Sequence, residues 1–155
     1  MRKVPAFIDF PPVWLLLHLA VAWVLSLVPI RFFGDPGDWV GGALVAAGIA
    51  VTLLAALEMT KARTTVIPHR DPSRLVTTGV FRFSRNPIYL SDAMILTGAI
   101  LWWDAVLALP LVAIFVRLIT ARFIKDEEAR LTMAFSAEFD LWAARVNRWI
   151  GWRSG

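Results

Sequence analysis

The stretch "RNPIYLSDAMILTGAILWWDAVLALPLVAIFVRLITARFIKDEE", Arg85–Glu128, decides how this chain folds. It begins and ends in charge. Between the charges lie two apolar runs, about 87–103 and 105–123, parted only by the residues around "WWDA". Each run has about the 17–25 residues that a helix needs to cross a bilayer. Such a short link permits only antiparallel neighbours. The charged end of the second run therefore returns beside the start of the first.

Working outward, two further apolar runs precede this hairpin, Val13–Pro29 and Trp39–Leu57, with His18, Ser26 and Thr52 as their polar side chains. Of 155 residues 58% are apolar and 18% charged, well away from the usual globular balance of roughly half and a quarter. A soluble domain of this size could not hide four such stretches. The expectation is an all-α integral membrane protein of one domain, 1–155, with spans at about 13–33, 38–59, 87–103 and 105–123. The first run is followed by Pro29-Ile30-Arg31-Phe32-Phe33 rather than small residues, and reads as a span rather than a cleaved signal. A Thr-, Pro- and Arg-rich segment, 60–86, joins the two pairs of spans, and a charged tail helix runs over about 124–147. In that tail Leu131, Phe135, Phe139 and Trp142 recur at helical spacing, an apolar stripe suited to a membrane surface or to folding back over the hairpin mouth. There is no cysteine, which excludes disulfides and thiolate chemistry, and no metal site is expected.

Charge sets the orientation. Arg2 and Lys3, then Lys61, Arg63, Arg70, Arg74, Arg82 and Arg85, then the arginines and Lys125 from Arg117 onward all lie on one side of the four spans. The turns on the other side carry Arg31, Asp35, Asp38 and Asp104. The positive-inside rule places both termini and the 60–86 segment in the cytoplasm, with Trp39, Trp102 and Trp103 at the far interface. The basic excess is thus an orientation signal aided by anionic lipid, and a nucleic-acid partner is not expected.

Pro87 at a first helical position and Asn86 before it read as an ordinary helix start. The neighbours raise a second reading. Arg85, Tyr89 and Asp92 share a face at i, i+4 and i+7, and an ionisable group inside a span usually faces a bundle interior or a wet cavity. The alternative is a structural Arg85–Asp92 pair. Arg117 and Glu128, eleven residues apart, share a face if the helix is continuous. The hairpin then brings Glu127 and Glu128 to Arg85, Asn86 and Tyr89. His18 and His69 read as structural.

Gly79-Val80-Phe81, then Arg85-Asn86-Pro87-Ile88-Tyr89, then Glu127-Glu128 some forty residues on, resemble the isoprenylcysteine carboxyl methyltransferase and phospholipid methyltransferase family. Its pattern is R-H-P-x-Y, a helical hairpin and E-E. "RLVTTGVF", Arg74–Phe81, is similar to the family's "LVTSGVY" stretch, and the tail from Glu127 to its "EE…L…FG-EY…Y..RV". The likeness covers about residues 58–150. It implies methyl transfer from S-adenosyl-L-methionine, held in a cytoplasmic pocket closed by the C-terminal segment, to a lipophilic acceptor entering from the bilayer. Carried over by motif, the cofactor contacts are Ser73, Arg74, Leu75, Val76, Phe81, Asn86, Pro87, Ile88, Tyr89 and Glu127. This chain departs from the pattern at Asn86 for histidine, Phe81 for tyrosine and Ser136 for the tail's glycine.

Such a displacement asks the protein mainly to position donor and acceptor. Glu127 suits the donor's ammonium or ribose, Phe81 and Tyr89 its ring or sulfonium, and Arg85 or Arg74 its carboxylate. Arg85 and Glu128 are the catalytic candidates. Arg117, Arg122 and Asp92 are the acceptor-side candidates: the arginines for an anionic group, Asp92 or Glu128 as base if the acceptor is an amine. The competing readings are a non-catalytic membrane scaffold or transporter subunit, and a lipid reductase of similar architecture.

Overall fold

The computed structural model describes residues 10–63 and 74–152, and among them every regular element is helical apart from an isolated bridge between Val146 and Trp152. Five α-helices follow one another: α1 Pro11–Ser26, α2 Gly34–Lys61, α3 Pro87–Trp102, α4 Leu109–Ile119 and α5 Lys125–Arg145. A 3₁₀ turn spans Gly79–Arg82, another spans Val106–Ala108, and a π turn, Thr120–Ile124, joins α4 to α5. Among the described residues two stretches are long and apolar enough to cross a membrane, Gly34–Lys61 and the continuous run Val106–Arg145; the apolar helices α1 and α3 are shorter. The chain divides into two compact units, Met1–Gly48 with Asp92–Ile119 and Ile49–Ser91 with Thr120–Gly155.

In the first unit α1 packs against α4. Prolines at its first turn cost nothing there, because those N–H groups have no intrahelical partner. The expected first span, to about 33, ends instead at Ser26. Pro29 explains this: it cannot donate to the helix and disfavours helical geometry at Val28. His18 is buried, its Nδ1 2.7 Å from the Trp14 carbonyl and its ring edge-on to Phe115 at 5.2 Å. That is a satisfied structural histidine.

The turn after α3 does more than reverse the chain. Asp104, at φ 52°, accepts from the backbone N–H of Phe32 (3.0 Å), Phe33 (2.8 Å) and Gly34 (3.3 Å). It thereby caps the start of α2 with a negative charge, where orphan donors and the helix dipole favour one. The Phe33 N–H above all, then those of Phe32 and Gly34 and the Arg31 guanidinium, hold the Asp104 carboxyl below its ordinary range against a smaller opposing effect of burial. Further along, α2 and α3 meet through glycine. A Cβ at Gly41 would lie 2.5 Å from the Gly98 carbonyl oxygen, and one at Gly98 would lie 2.6 Å from that of Gly41. Only small residues permit this approach of two apolar helices.

The second unit contains the lower part of α2, the start of α3 and α5. Its core gathers Ala55, Val76, Phe81, Phe139, Trp142 and Val146, with Leu131 and Phe135 packed against it. The tail's apolar stripe thus meets protein rather than being left to face a lipid surface. The tail is also not one straight helix to about 147. It ends at Arg145, and Ser136 breaks it with φ 42°, ψ −115°, a conformation that glycine tolerates and L side chains resist.

Candidate functional site

The site is built around the start of α3, within the second unit. Gly79 opens the 3₁₀ turn at φ +57°, and a Cβ there would come 2.6 Å from Glu58 Cγ. Both facts require glycine. The turn closes with Ser84 N–H donating to the Val80 carbonyl at 3.3 Å. Ser84 Oγ then accepts from Asn86 N–H at 3.0 Å, and the Asn86 carbonyl takes the first helical bond of α3, from Leu90 N–H at 2.9 Å. Asn86 is therefore the cap residue by position. Its side-chain amide, however, donates to the Arg148 carbonyl at 3.0 Å, so it ties the tail to the helix start.

Two contacts join α5 to this start. Tyr89 OH donates to Glu127 Oε2 at 3.2 Å, and Arg85 Nη1 lies 3.3 Å from Glu128 Oε1. The approach of the acidic pair to Arg85, Asn86 and Tyr89, expected from the hairpin, is thus present. The Glu128 carboxylate also receives Arg148, Nε at 3.0 and 3.1 Å and Nη2 at 2.5 Å, a charge-assisted fork. This pairing raises the Arg148 pKa above its ordinary value, chiefly through the hydrogen bond to Glu128. The side chains of Arg85 and Glu128 are only 10% and 14% exposed and that of Arg148 36%. With guanidinium donors on both its oxygens, Glu128 works as a joint between α3, α5 and the tail.

The tail itself is strapped on. Arg85 N–H donates to the Asn147 carbonyl at 3.1 Å and Gly151 N–H to the Phe83 carbonyl at 2.8 Å. Trp142 Nε1 donates to the Phe81 carbonyl, Trp152 Nε1 to the Arg82 carbonyl, and Trp149 Nε1 to Thr120 Oγ1. Trp142 belongs to the apolar stripe read from the sequence, but Arg148 and the bonds made by Trp149 and Trp152 escaped that reading. These three residues follow the end of α5, where no period marks them. The family-like "RV" of Arg145-Val146 was the nearest signal.

The remaining candidates fall as follows. Ser73 lies outside the described residues. Arg74 is exposed, Leu75 half-buried, and Val76 and Phe81 are buried in the apolar core of the unit. Asn86, Pro87 and Tyr89 are buried, Ile88 is half-buried against the same core, and Glu127 lies toward solvent. Asp92 is half-buried in α3 between buried Ser91 and Ala93. Arg117 is exposed on α4 and Arg122 half-buried in the π turn. The shared face expected for Arg117 and Glu128 presumed an unbroken α-helix. The π turn Thr120–Ile124 lies between them, and its wider i→i+5 winding shifts the phase of everything after it.

No curated protein and no solved structure matches this chain. The model of one family, phospholipid methyltransferase, matches residues 37–138. That match takes in nearly all of α2, the 3₁₀ turn at Gly79–Arg82, the Arg85–Tyr89 helix start, the hairpin, Glu127-Glu128 and the Ser136 kink, more than half the chain. With its long apolar helices, this is a membrane protein and a methyltransferase: the chain belongs to the phospholipid methyltransferase family.

Proposed function

We propose that the protein transfers a methyl group from S-adenosyl-L-methionine to a lipophilic acceptor at the cytoplasmic face of the membrane. Four helical spans cross the bilayer in this reading, both termini lie on the basic side, and Trp39, Trp102 and Trp103 sit at the opposite interface. When bound, the cofactor supplies a methyl on a cationic sulfur.

The observation that carries the reading is the Tyr89–Glu127 contact beside the clamped Arg85–Glu128–Arg148 cluster. This donor set fits the cofactor. Glu127 can accept from an ammonium or from ribose hydroxyls, and Tyr89 orients it. The first turn of α3 leaves backbone N–H groups without helical partners, a fit for a carboxylate. Phe81 and Val76 support this wall from the apolar core behind it. The two catalytic candidates act as positioning residues: Arg85 and Glu128 hold α3, α5 and the tail in register, so that a donor and an acceptor meet in line. Asp92, Arg117 and Arg122 remain candidates for the acceptor side.

Calorimetric titration of S-adenosyl-L-methionine into the purified protein in lipid nanodiscs tests this. Saturable binding is expected, weakened about tenfold or more by Glu127→Gln or Tyr89→Ala, the loss expected for a hydrogen bond to a charged group. Absence of saturable binding at sub-millimolar cofactor would overturn the proposal.

A further inference from the structure

The apolar stripe of α5 is spent on the core of the second unit, but the turn beyond it is not. Residues 146–152 keep their main-chain groups to themselves. The Asn147 carbonyl accepts from Arg85 N–H at 3.1 Å, that of Arg148 from the Asn86 amide at 3.0 Å, and that of Gly151 from Asn147 N–H at 2.9 Å. The Asn147 side-chain amide serves the Ile150 and Trp152 carbonyls, each at 3.4 Å. Val146 N–H donates to the Trp142 carbonyl and Gly151 N–H to that of Phe83. A surface turn in water can leave such groups to the solvent, whereas one in contact with lipid must satisfy them internally.

The side chains fit the same solvent. Ile150 is 67% exposed and Trp152 68%. The bonds to Arg85 and Asn86 hold the turn in place, so this exposure belongs to a fixed surface. The indole N–H of Trp152 is already used on the Arg82 carbonyl at 2.9 Å, which leaves an apolar ring outward. The patch extends sideways. Trp152, Phe83 and Leu54 line one hollow, with the Phe83 and Trp152 rings 5.6 Å apart. Leu54 lies beside Leu53 and Leu57, all exposed on α2, which is long and apolar enough to cross a membrane. The turn is therefore continuous with the lipid-facing side of a span. Exposed Arg82 and the Lys61–Glu58 pair, 3.0 Å apart, border it. Charges at that level mark the headgroup layer, the depth that indoles favour and where cations meet anionic lipid.

We propose that residues 146–152 form a membrane foot: Ile150 and Trp152 sit in the headgroup layer at the Lys61 end of α2, and the bilayer presses the strap against the start of α3. The partner is the lipid surface as a whole, and no single lipid is held there for reaction. Because Arg85 and Asn86 are bonded to the same turn, contact with lipid and the order of the α3 start are coupled. The inference stands apart from the cofactor and acceptor readings and survives their failure.

The chain has no cysteine, so one introduced thiol carries one nitroxide label. Ile150→Cys is compared with Leu53→Cys, on the span, and Asp140→Cys, an exposed charged position of α5. Full-length protein is placed in nanodiscs of phosphatidylcholine and phosphatidylglycerol, and label collisions with oxygen and with a water-soluble nickel chelate are measured. The label at 150 should favour oxygen over nickel, as the one at 53 does, and the one at 140 should show the reverse. A label at 150 that favours nickel overturns the proposal. One shielded from both reagents overturns it as well, because a second copy or another protein then covers the turn. A second readout needs no label. Trypsin cleavage after Arg145 in the same nanodiscs should be severalfold faster in Ile150→Ser than in the wild type, with helicity unchanged by circular dichroism. Equal cleavage overturns the claim that the bilayer holds the strap.

Discussion

Replacing Ser136 with glycine should stabilise this protein, although glycine inside a helix ordinarily does the reverse. Ser136 is exposed and holds φ 42°, ψ −115° inside α5. A side chain forced to positive φ costs about 1–3 kcal/mol. Glycine removes that strain but gives back about 0.5–1 kcal/mol through the greater freedom of the unfolded chain. The net expectation is a gain of about 1 kcal/mol, or ~2–4 °C in melting temperature for a chain of this size. The assay is thermal unfolding in detergent, with Ala134→Gly as the control. Ala134 is exposed in the regular part of the same helix, so glycine there should cost about 0.5–1 kcal/mol. Ser136→Val should also cost, because a β-branched residue resists this geometry still more. If Ser136→Gly destabilises as Ala134→Gly does, α5 is straight and the account of its kink is wrong.

Other tests reach other parts of the molecule. Asp104 has a folded-state pKa below its unfolded value, so its contribution is present above the ordinary carboxylate range and is lost as pH falls through the folded value. Melting temperatures should therefore drop in the wild type as pH falls below the ordinary carboxylate range, and Asp104→Asn should melt lower at pH 7 with the shallower acid dependence. Gly98→Val should cost about 1–3 kcal/mol or more, since its Cβ meets the Gly41 backbone, and Gly98→Ala should be the milder variant in the same melts. In the joint, Arg148→Ala and Glu128→Gln should each destabilise, and their double mutant should lose clearly less than the sum. The coupling should be about 0.5–3 kcal/mol by a double-mutant cycle; full additivity would remove Arg148 from the joint.

Much of this architecture could be read from the residues because hydropathy and helix punctuation are strong local signals. Pro87 marked the start of α3 to the residue, "WWDA" marked the tight turn, and the spacing of Phe139 and Trp142 marked the buried face of the tail. The proximity of Glu127 and Glu128 to the α3 start followed from hairpin geometry alone. What stayed hidden acts across distance or through the backbone. Asp104 looked like a turn acid facing water, yet it caps a helix some seventy residues earlier in the chain. Arg148 lies beyond the last periodic residue, so nothing in its surroundings announced a pair with Glu128. The π turn has no compositional mark, and it undid the phase argument for Arg117. Two misses did have signals. Pro29 stood in the sequence as a reason to end α1 early, and the departure from glycine at 136 was visible before its strained φ gave it a meaning.

The strap between tail and helix start rests on carbonyls of the 81–83 segment and on the Arg85 N–H. Main-chain groups do not change when side chains do. Arg82 and Phe83 can therefore be exchanged for other residues while Trp152 and Gly151 keep their partners, and the surface they form can change without loosening the tail.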